Sequence, residues 1–276
     1  MKHLLKSWNN IKRLVSQREI LLFLDYDGTL TPIKDHPRLA KFSAGYQSIL
    51  RGLSKIRGVT ITVISGRKLS DVRRMTGIRG LTYSGNHGFE IQGPRIDWVH
   101  SAASRRTKAI ERIFKKLKAN LRKFSGIYAE SKKFSLSVHY RKAGSKEISE
   151  AGQILKKEIA SDLRKSGLIL THGKKVWEIR PSAKWDKGLA VRWLIARHRA
   201  QNSALVFPIY IGDDQTDESA FRSIRGNGIA VKVTRRPEEK TFAEYYLDSP
   251  AEVMKFLGLL SVAKRRHKQY ARTYAD

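Results

Sequence analysis

Ile20-Leu-Leu-Phe-Leu-Asp-Tyr-Asp-Gly-Thr29 sets an unbroken apolar run against two carboxylates and a glycine. A short apolar run of this kind reads as a strand buried on both faces, and such strands belong to parallel sheets. Its carboxylates fall where the strand ends, which in an open α/β sheet is where ligand chemistry sits. The pattern returns late in the chain, where Ile209-Tyr-Ile211 runs into Gly212-Asp-Asp-Gln-Thr-Asp217. Asp25, Asp27, Asp213, Asp214 and Asp217 are thus aimed at one crevice, where their mutual repulsion calls for a cation.

Working outward, strand and helix periodicities alternate after the first motif. A helix is predicted around 44–56, a strand over 59–64, a short helix near 69–76, a strand at 81–84, and a hairpin in which 89–92 and 96–99 flank Gly93-Pro94. Alternation of this kind argues for βαβ units. The middle differs: Ile110, Ile113, Phe114, Leu117, Leu121 and Phe124 form a helical stripe, and 134–140 alternates as a half-buried strand does. A helix over 148–163 follows, then strands 168–171 and 176–179 across the turn His172-Gly173-Lys174. From Lys187 the first pattern resumes, with a helix to about 199, a strand over 208–212, a helix over 218–224 and a strand over 228–233. The predicted architecture is α/β: a Rossmann-like parallel-sheet core of residues 19–102 plus 184–276, interrupted by an inserted α+β cap over 103–183 that lies above its carboxyl edge. Residues 1–18 form an amphipathic helix, whose stripe of Leu4, Leu5, Trp8, Ile11, Leu14 and Val15 is expected to pack onto the core.

The 276 residues contain no cysteine, which excludes disulfides, thiolate zinc sites and a cysteine nucleophile and fits a reducing compartment, the cytoplasm. No apolar run approaches the roughly 18 to 20 residues that span a bilayer, and residues 1–18 lack the uninterrupted apolar stretch of a secretory leader. The net charge of +30 attracts anions, whether a small phosphorylated substrate, nucleic acid or an anionic membrane. Basic residues thicken in Arg105–Lys123, where nine Lys or Arg stand against Glu111 alone, and again over 264–272. Neither stretch has the aromatic interleaving of a single-strand binding platform. Solvated helix faces are the simpler reading. The rival is a nucleic-acid or membrane-surface binding protein on an inactive core, and the retention of every carboxylate speaks against it.

Asp25 stands at the strand end, where a carboxylate can attack phosphorus in line and form an aspartyl phosphate. Asp27 returns to the same side after the turn at Gly28 and can protonate a leaving oxygen, then activate water. Thr29 can donate its hydroxyl to a phosphate oxygen. Ser65 ends the 59–64 strand in the same manner, and Arg67 is expected to hold phosphate or sugar bidentately, with a surface ion pair as its competitor. Phosphoryl transfer needs fixed cations more than covalent machinery. Lys187 opens a helix just after the cap, from which its ammonium would return to the crevice; a lone lysine is usually solvent-exposed, and this placement leans on the family pattern. Asp213 is assigned to the metal directly. Asp214 acts through water or by positioning Lys187, and Asp217 joins the metal or its surroundings, unless it only caps the following helix. Hard oxygen donors without cysteine or clustered histidine suit Mg²⁺.

Asp25-x-Asp27-Gly28-Thr29, Ser65, Lys187 and Gly212-Asp213-Asp214 with Asp217 resemble, in order, the four motifs of the haloacid-dehalogenase superfamily of phosphatases. The resemblance spans Glu19 to about Asp248, and an insertion between the second and third motifs looks like the C2 type of cap, which works on sugar phosphates. Longer strings resemble the trehalose-6-phosphate phosphatase family: Leu24–Ile33, Gly85-Asn-His-Gly-Phe-Glu-Ile91, Val138-His-Tyr-Arg141, Trp177-Glu-Ile-Arg-Pro181 and Gly212–Phe221. That resemblance implies Mg²⁺-dependent hydrolysis of trehalose 6-phosphate, with Asp25 as nucleophile, Asp27 as acid and base, and Ser65 and Lys187 on the phosphate. It also implies sugar contacts from Glu130, Lys132 and Glu178, with Asn86, His87 and Arg141 as further candidates. Closely related chemistry on mannosyl- or glucosyl-phosphoglycerate or sucrose phosphate is the nearest alternative. A monomeric, free-standing phosphatase is expected. Docking to an acidic partner such as the synthase is one use for the charge, which the family pattern does not require.

Overall fold

The computed structural model describes residues 1–33, 42–173, 175–202 and 206–273. In chain order the elements begin with β1 (Lys2–His3), α1 (Trp8–Gln17), β2 (Glu19–Asp25), α2 (Ala44–Ser54), β3 (Val59–Ile64), α3 (Leu69–Thr76), β4 (Thr82–Gly85), β5 (Glu90–Gly93) and β6 (Ile96–Val99). There follow α4 (Ser101–Asn120), β7 (Tyr128–Ser131), β8 (Leu136–His139), α5 (Ser145–Ser166), β9 (Leu168–Gly173) and β10 (Val176–Pro181). The chain continues with α6 (Lys187–Gln201), β11 (Val206–Gly212), α7 (Glu218–Ile224), β12 (Ile229–Val233), β13 (Tyr245–Leu247) and α8 (Pro250–Thr273). Two compact units result, Met1–Asp97 with Trp185–Asp276, and Trp98–Lys184.

The first unit is built on a nine-stranded sheet in the order β1-β13-β12-β11-β2-β3-β4-β5-β6, whose last strand runs across the boundary between the units. Its centre is parallel: Leu22 of β2 pairs with Ile209 of β11 and Ile61 of β3. The apolar run of β2 is buried because helices cover both faces. Ile20, Leu22, Leu24 and Tyr26 pack into one cluster with α1, α2 and α8, while Leu21 and Phe23 pack into another with α6 and α7. Each such fully buried side chain contributes about 1.5–3 kcal/mol. Because consecutive strand residues face opposite ways, the register that buries Leu24 and Tyr26 turns Asp25 and Asp27 to the other side.

The amphipathic N-terminal segment differs from its expected single helix. Lys2–His3 pairs in parallel with β13, and Ser7 closes a turn on the carbonyl of His3, so α1 begins only at Trp8. Leu4, Ile11 and Val15 are nonetheless buried beside Phe256, Leu257 and Leu260 of α8. That long C-terminal helix carries Val253, Phe256, Leu257, Leu260 and Lys264 on its buried face. Lys264 donates to the carbonyls of Ser16 at 3.3 Å and Arg18 at 2.7 Å, and burial lowers its pKa. The basic stretch that starts at Lys264 is therefore not all solvated surface.

The second unit is a four-stranded antiparallel sheet in the order β7-β8-β10-β9 with two helices, α4 and α5, on one face. Alternation sends Leu136, Val138, Trp177 and Ile179 against Ile110, Ile113, Leu117, Leu155 and Ile159. The other face carries polar groups in register: Glu130 pairs with Ser137, Ser137 with Glu178, and Glu178 with Thr171. Lys174, in the expected turn between β9 and β10, lies outside the described residues. No helix among the described residues is long and apolar enough to cross a membrane.

Candidate active site

Four strands and the start of a helix in the first unit supply the site. Asp25 ends β2, Ser65 follows β3, Ser84 lies near the end of β4, the acidic loop 213–217 follows β11, and Lys187 opens α6. Asp186 caps α6 by accepting the N–H of Leu189 at 2.9 Å, which fixes the first turn from which Lys187 projects. Its ammonium donates to Asp25 Oδ1 at 2.7 Å and to Asp217 Oδ1 at 2.7 Å. Tyr210, inside β11, donates its hydroxyl to the same Asp217 oxygen at 2.6 Å. Asp25, Lys187 and Asp217 are 4%, 3% and 0% exposed, so this is charge held away from water.

Burial at such a place costs several kcal/mol per ion unless partners offset it. For Asp25, burial and the repulsion of Asp217 and Asp213 outweigh the attraction of Lys187, and its carboxyl is raised well above the aspartate range. For Lys187, burial alone would lower the pKa, but Asp217 and Asp25 override it and hold the ammonium charged. Tyr210 is pushed upward by burial and by Asp217, and stays a neutral donor. Tyr26 is likewise raised to about 12, chiefly by burial.

Asp25, Asp213 and Asp217 each offer a carboxylate oxygen, all within 4.8 Å of one another. Three hard anionic donors crowded into that span fit a divalent cation, whose charge would relieve the repulsion that raises Asp25. Gly28 makes the approach of Asp213 possible. Its φ is +82°, and a Cβ there would collide with the Asp213 carboxylate. Gly28→Ala is therefore expected to cost about 1–3 kcal/mol of backbone strain and, by displacing Asp213, on the order of 10²-fold in turnover. Urea unfolding beside steady-state rates checks both.

Several buried hydroxyls lack a partner among the described residues. Thr29 Oγ1 is buried with no protein partner, as expected of a group reserved for phosphate, and Ser84 Oγ is in the same condition. Ser65 is 1% exposed, and its hydroxyl accepts the N–H of Arg67 at 3.1 Å.

Several expected contacts are placed differently. Asp214 is exposed and does not reach Lys187; its side chain accepts the N–H of Gln215 at 2.6 Å and its own N–H donates to Asp217 Oδ2 at 2.9 Å. Asp217 takes the part given to Asp214, because the short turn Gln215–Asp217 carries it back under the strand end. Asp27 is outside the carboxylate cluster and paired with Arg67, the ion pair named as competitor to a phosphate contact of that arginine. Asn86 is fully buried and donates to Glu90 Oε1 at 2.6 Å, an oxygen that also accepts the N–H of Leu69 at 2.9 Å. That bond occupies the amide in a support for the 65–69 loop. The imidazole of His87 lies against Gly66, where a Cβ would come within 2.5 Å of the ring.

In the second unit Lys132 and Glu178 form an ion pair at 3.1 Å, and Ser137 donates to the same Glu178 oxygen at 3.4 Å. Glu130 pairs with His139 at 2.7 Å, and the His139 ring stacks on Tyr128 at 4.7 Å. His139 belongs to this polar face and was not singled out, although it alternates with Ser137 along the strand. Arg141 is exposed beyond the end of β8.

A Rossmann-like sheet with an α+β insertion, and a strand-end aspartate tied to a buried lysine beside two more carboxylates, define a phosphatase of the haloacid-dehalogenase fold. The trehalose-phosphatase family model matches residues 23–251. This chain belongs to that family. A trehalose 6-phosphate phosphatase of Zea mays is 39% identical over 263 residues, which cover 90% of this chain and 71% of the relative. The trehalose-phosphate phosphatase of Mycobacterium marinum is 36% identical over 245 residues, 87% of this chain and 61% of the relative. Among solved structures, the C-terminal domain of Candida albicans trehalose-6-phosphate phosphatase superposes with a TM-score of 0.75 at 28% identity, covering 95% of this chain and 98% of that one. The chain is an enzyme, a phosphatase whose family implies a divalent metal.

Proposed function

We propose that the protein hydrolyses trehalose 6-phosphate to trehalose and inorganic phosphate with Mg²⁺ as its ion, in the cytoplasm. The observation that carries the reading is the buried Lys187 bridging Asp25 and Asp217, with Asp213 completing a set of oxygen donors, inside a chain of the trehalose-phosphatase family.

Asp25 attacks phosphorus as the ester oxygen leaves, forming an aspartyl phosphate. Asp27 gives that oxygen its proton, then takes one from the water that hydrolyses the phosphoenzyme and frees Asp25. Lys187, Thr29 and Ser65 hold the phosphoryl oxygens, whose charge is spread in the transition state. Asp25, Asp213 and Asp217 would hold the ion, which supplies charge to offset repulsion between the nucleophile and the phosphoryl group.

Glu130, Lys132 and Glu178 are proposed to bond the sugar hydroxyls, with His87 and Arg141 as lesser contacts. Support comes from Glu130 and Glu178, which flank Ser137 on a polar sheet face with Lys132 paired to Glu178, while the opposite face is packed against helices. Hydrogen bonds to charged groups are worth about 1.5–3 kcal/mol each, so Lys132→Ala is expected to lower kcat/KM on trehalose 6-phosphate by roughly 10- to 100-fold. The same variant should leave a small aryl phosphate nearly untouched, and equal losses on both would remove Lys132 from the sugar site. The substrate itself is tested by phosphate release over a panel of trehalose 6-phosphate, sucrose phosphate and glycosyl-phosphoglycerates. Preference for another member over trehalose 6-phosphate would overturn the assignment.

A further inference from the structure

Arg67 is where a phosphate or sugar contact was expected, yet its guanidinium is engaged by Asp27. Nε donates to Asp27 Oδ2 at 2.6 Å and Nη2 to Asp27 Oδ1 at 2.5 Å, a fork on both carboxylate oxygens. The arginine is itself anchored. Its N–H donates to Ser65 Oγ at 3.1 Å, its carbonyl accepts the N–H of Asn86 at 2.8 Å, and its guanidinium lies 5.6 Å from the centre of the Tyr26 ring. The Arg67 side chain is 15% exposed and that of Asp27 40%, so the carboxylate is the member that water and substrate reach. Loose surface pairs hold no fixed geometry, but a two-bond fork on an anchored guanidinium does.

We propose that Arg67 is a positioning residue for Asp27. It presents the carboxylate in one orientation, and it gives up one of its two bonds whenever Asp27 carries a proton. The proposal rests on the reading of Asp27 as acid and base. When the Asp25 oxygen bonds to phosphorus and the ester P–O bond breaks, the proton passes from Asp27 to the ester oxygen, and both carboxylate oxygens can again accept from Arg67. When water attacks, its oxygen bonds to phosphorus, the bond to Asp25 breaks, and the proton lost by the water goes to Asp27, displacing one N–H of the fork. The fork thus holds the deprotonated carboxylate and yields to the proton.

A phosphate clamp and an acid-positioning residue differ in what they cost. Loss of a clamp weakens every ester alike, whereas loss of acid positioning costs most where the leaving oxygen most needs a proton. The test measures steady-state rates and phosphoenzyme bursts of the wild type, Arg67→Ala and Arg67→Lys on trehalose 6-phosphate and on aryl phosphates of graded leaving-group acidity. Arg67→Ala is expected to lose about 10²-fold on the sugar phosphate but little in the burst with p-nitrophenyl phosphate, giving a steeper dependence on leaving group. Arg67→Lys, which keeps the charge but not the fork, should recover only part, and it makes the same comparison if the alanine variant does not fold. A uniform loss on all esters with weakened inhibition by inorganic phosphate would make Arg67 a phosphate clamp and overturn the proposal, as would no loss on any. An Asp27→Asn variant that kept the wild-type leaving-group dependence would overturn the acid and base reading and this proposal with it. Indifference of the wild type to trehalose 6-phosphate would overturn only the choice of sugar, since the aryl series still decides the part of Arg67.

Discussion

Asp25→Asn is expected to stop turnover, by on the order of 10⁴-fold or more, while leaving the protein folded. The amide keeps the shape of the carboxylate and removes its nucleophilicity. It should also leave the metal-free protein no less stable at neutral pH, and the reason is a matter of sign. The carboxyl of Asp25 is raised by burial, with Asp217 and Asp213 adding to the effect and Lys187 opposing it. A carboxyl raised on folding binds its proton more tightly in the native state, so stability falls as pH climbs from the ordinary aspartate range through the raised value. Asparagine carries no such charge, and Lys187 retains Asp217 at 2.7 Å. Urea midpoints for the two proteins in chelator, at acid and at neutral pH, measure this. A midpoint for the variant well below wild type at neutral pH would mean that the Asp25 carboxylate is a net stabiliser of the metal-free fold.

Lys187→Met should have the opposite consequence. Two carboxylates that are 4% and 0% exposed would lose their shared cation, leaving Tyr210 as the recorded side-chain donor to Asp217. Breaking a buried ion pair from one side costs about 3–5 kcal/mol, and the phosphoryl group would lose a fixed positive charge as well. The stability deficit should shrink as pH falls, because protonation removes the uncompensated charge of Asp25, whose carboxyl is raised by burial. Adding Asp25→Asn to Lys187→Met should restore part of the lost stability, a coupling that a double-mutant cycle reads directly. Simple additivity of the two substitutions would contradict the bridge.

The reaction centre was legible because its residues sit where one-dimensional pattern changes into a strand end. Asp25 and Ser65 each mark such a change, and the run Ile20–Leu24 carries its burial in its composition, whereas Lys187, at the start of a helix, was placed by the family resemblance. The partners within the centre were less legible. Asp213, Asp214 and Asp217 differ only by position in a turn, and the short turn Gln215–Asp217 decides which of them goes under the strand and which faces water. The pairing of Arg67 with Asp27 joins loops that follow two neighbouring strands, and no local spacing encodes it. The apolar residues of the helix Pro250–Thr273 recur at helical spacing, while its basic run from Lys264 conceals that one of those lysines is buried. On the sheet of the second unit, strand alternation separated the polar face from the packed one, but cross-strand register alone brings Glu130, Ser137 and Glu178 into a row.

The net charge of +30 favours the approach of an anionic substrate. Some basic residues on the helices of the second unit are paired, such as Arg112 with Asp162 and Lys116 with Glu158, which leaves the excess of positive charge unchanged. Exposed pairs of this sort contribute about 0–1 kcal/mol each, so they bear more on solubility than on stability.

Rapid mixing of an Asp27→Asn variant with p-nitrophenyl phosphate, whose leaving group departs without a proton, followed by acid quench and mass analysis of its peptides, tests the central claim most directly. The nucleophile is intact in that variant, but the base that would activate water is missing. The expected result is a phosphate on Asp25, with p-nitrophenolate released in equal amount. An unmodified Asp25, or a phosphate carried by another residue, would contradict the aspartyl-phosphate route.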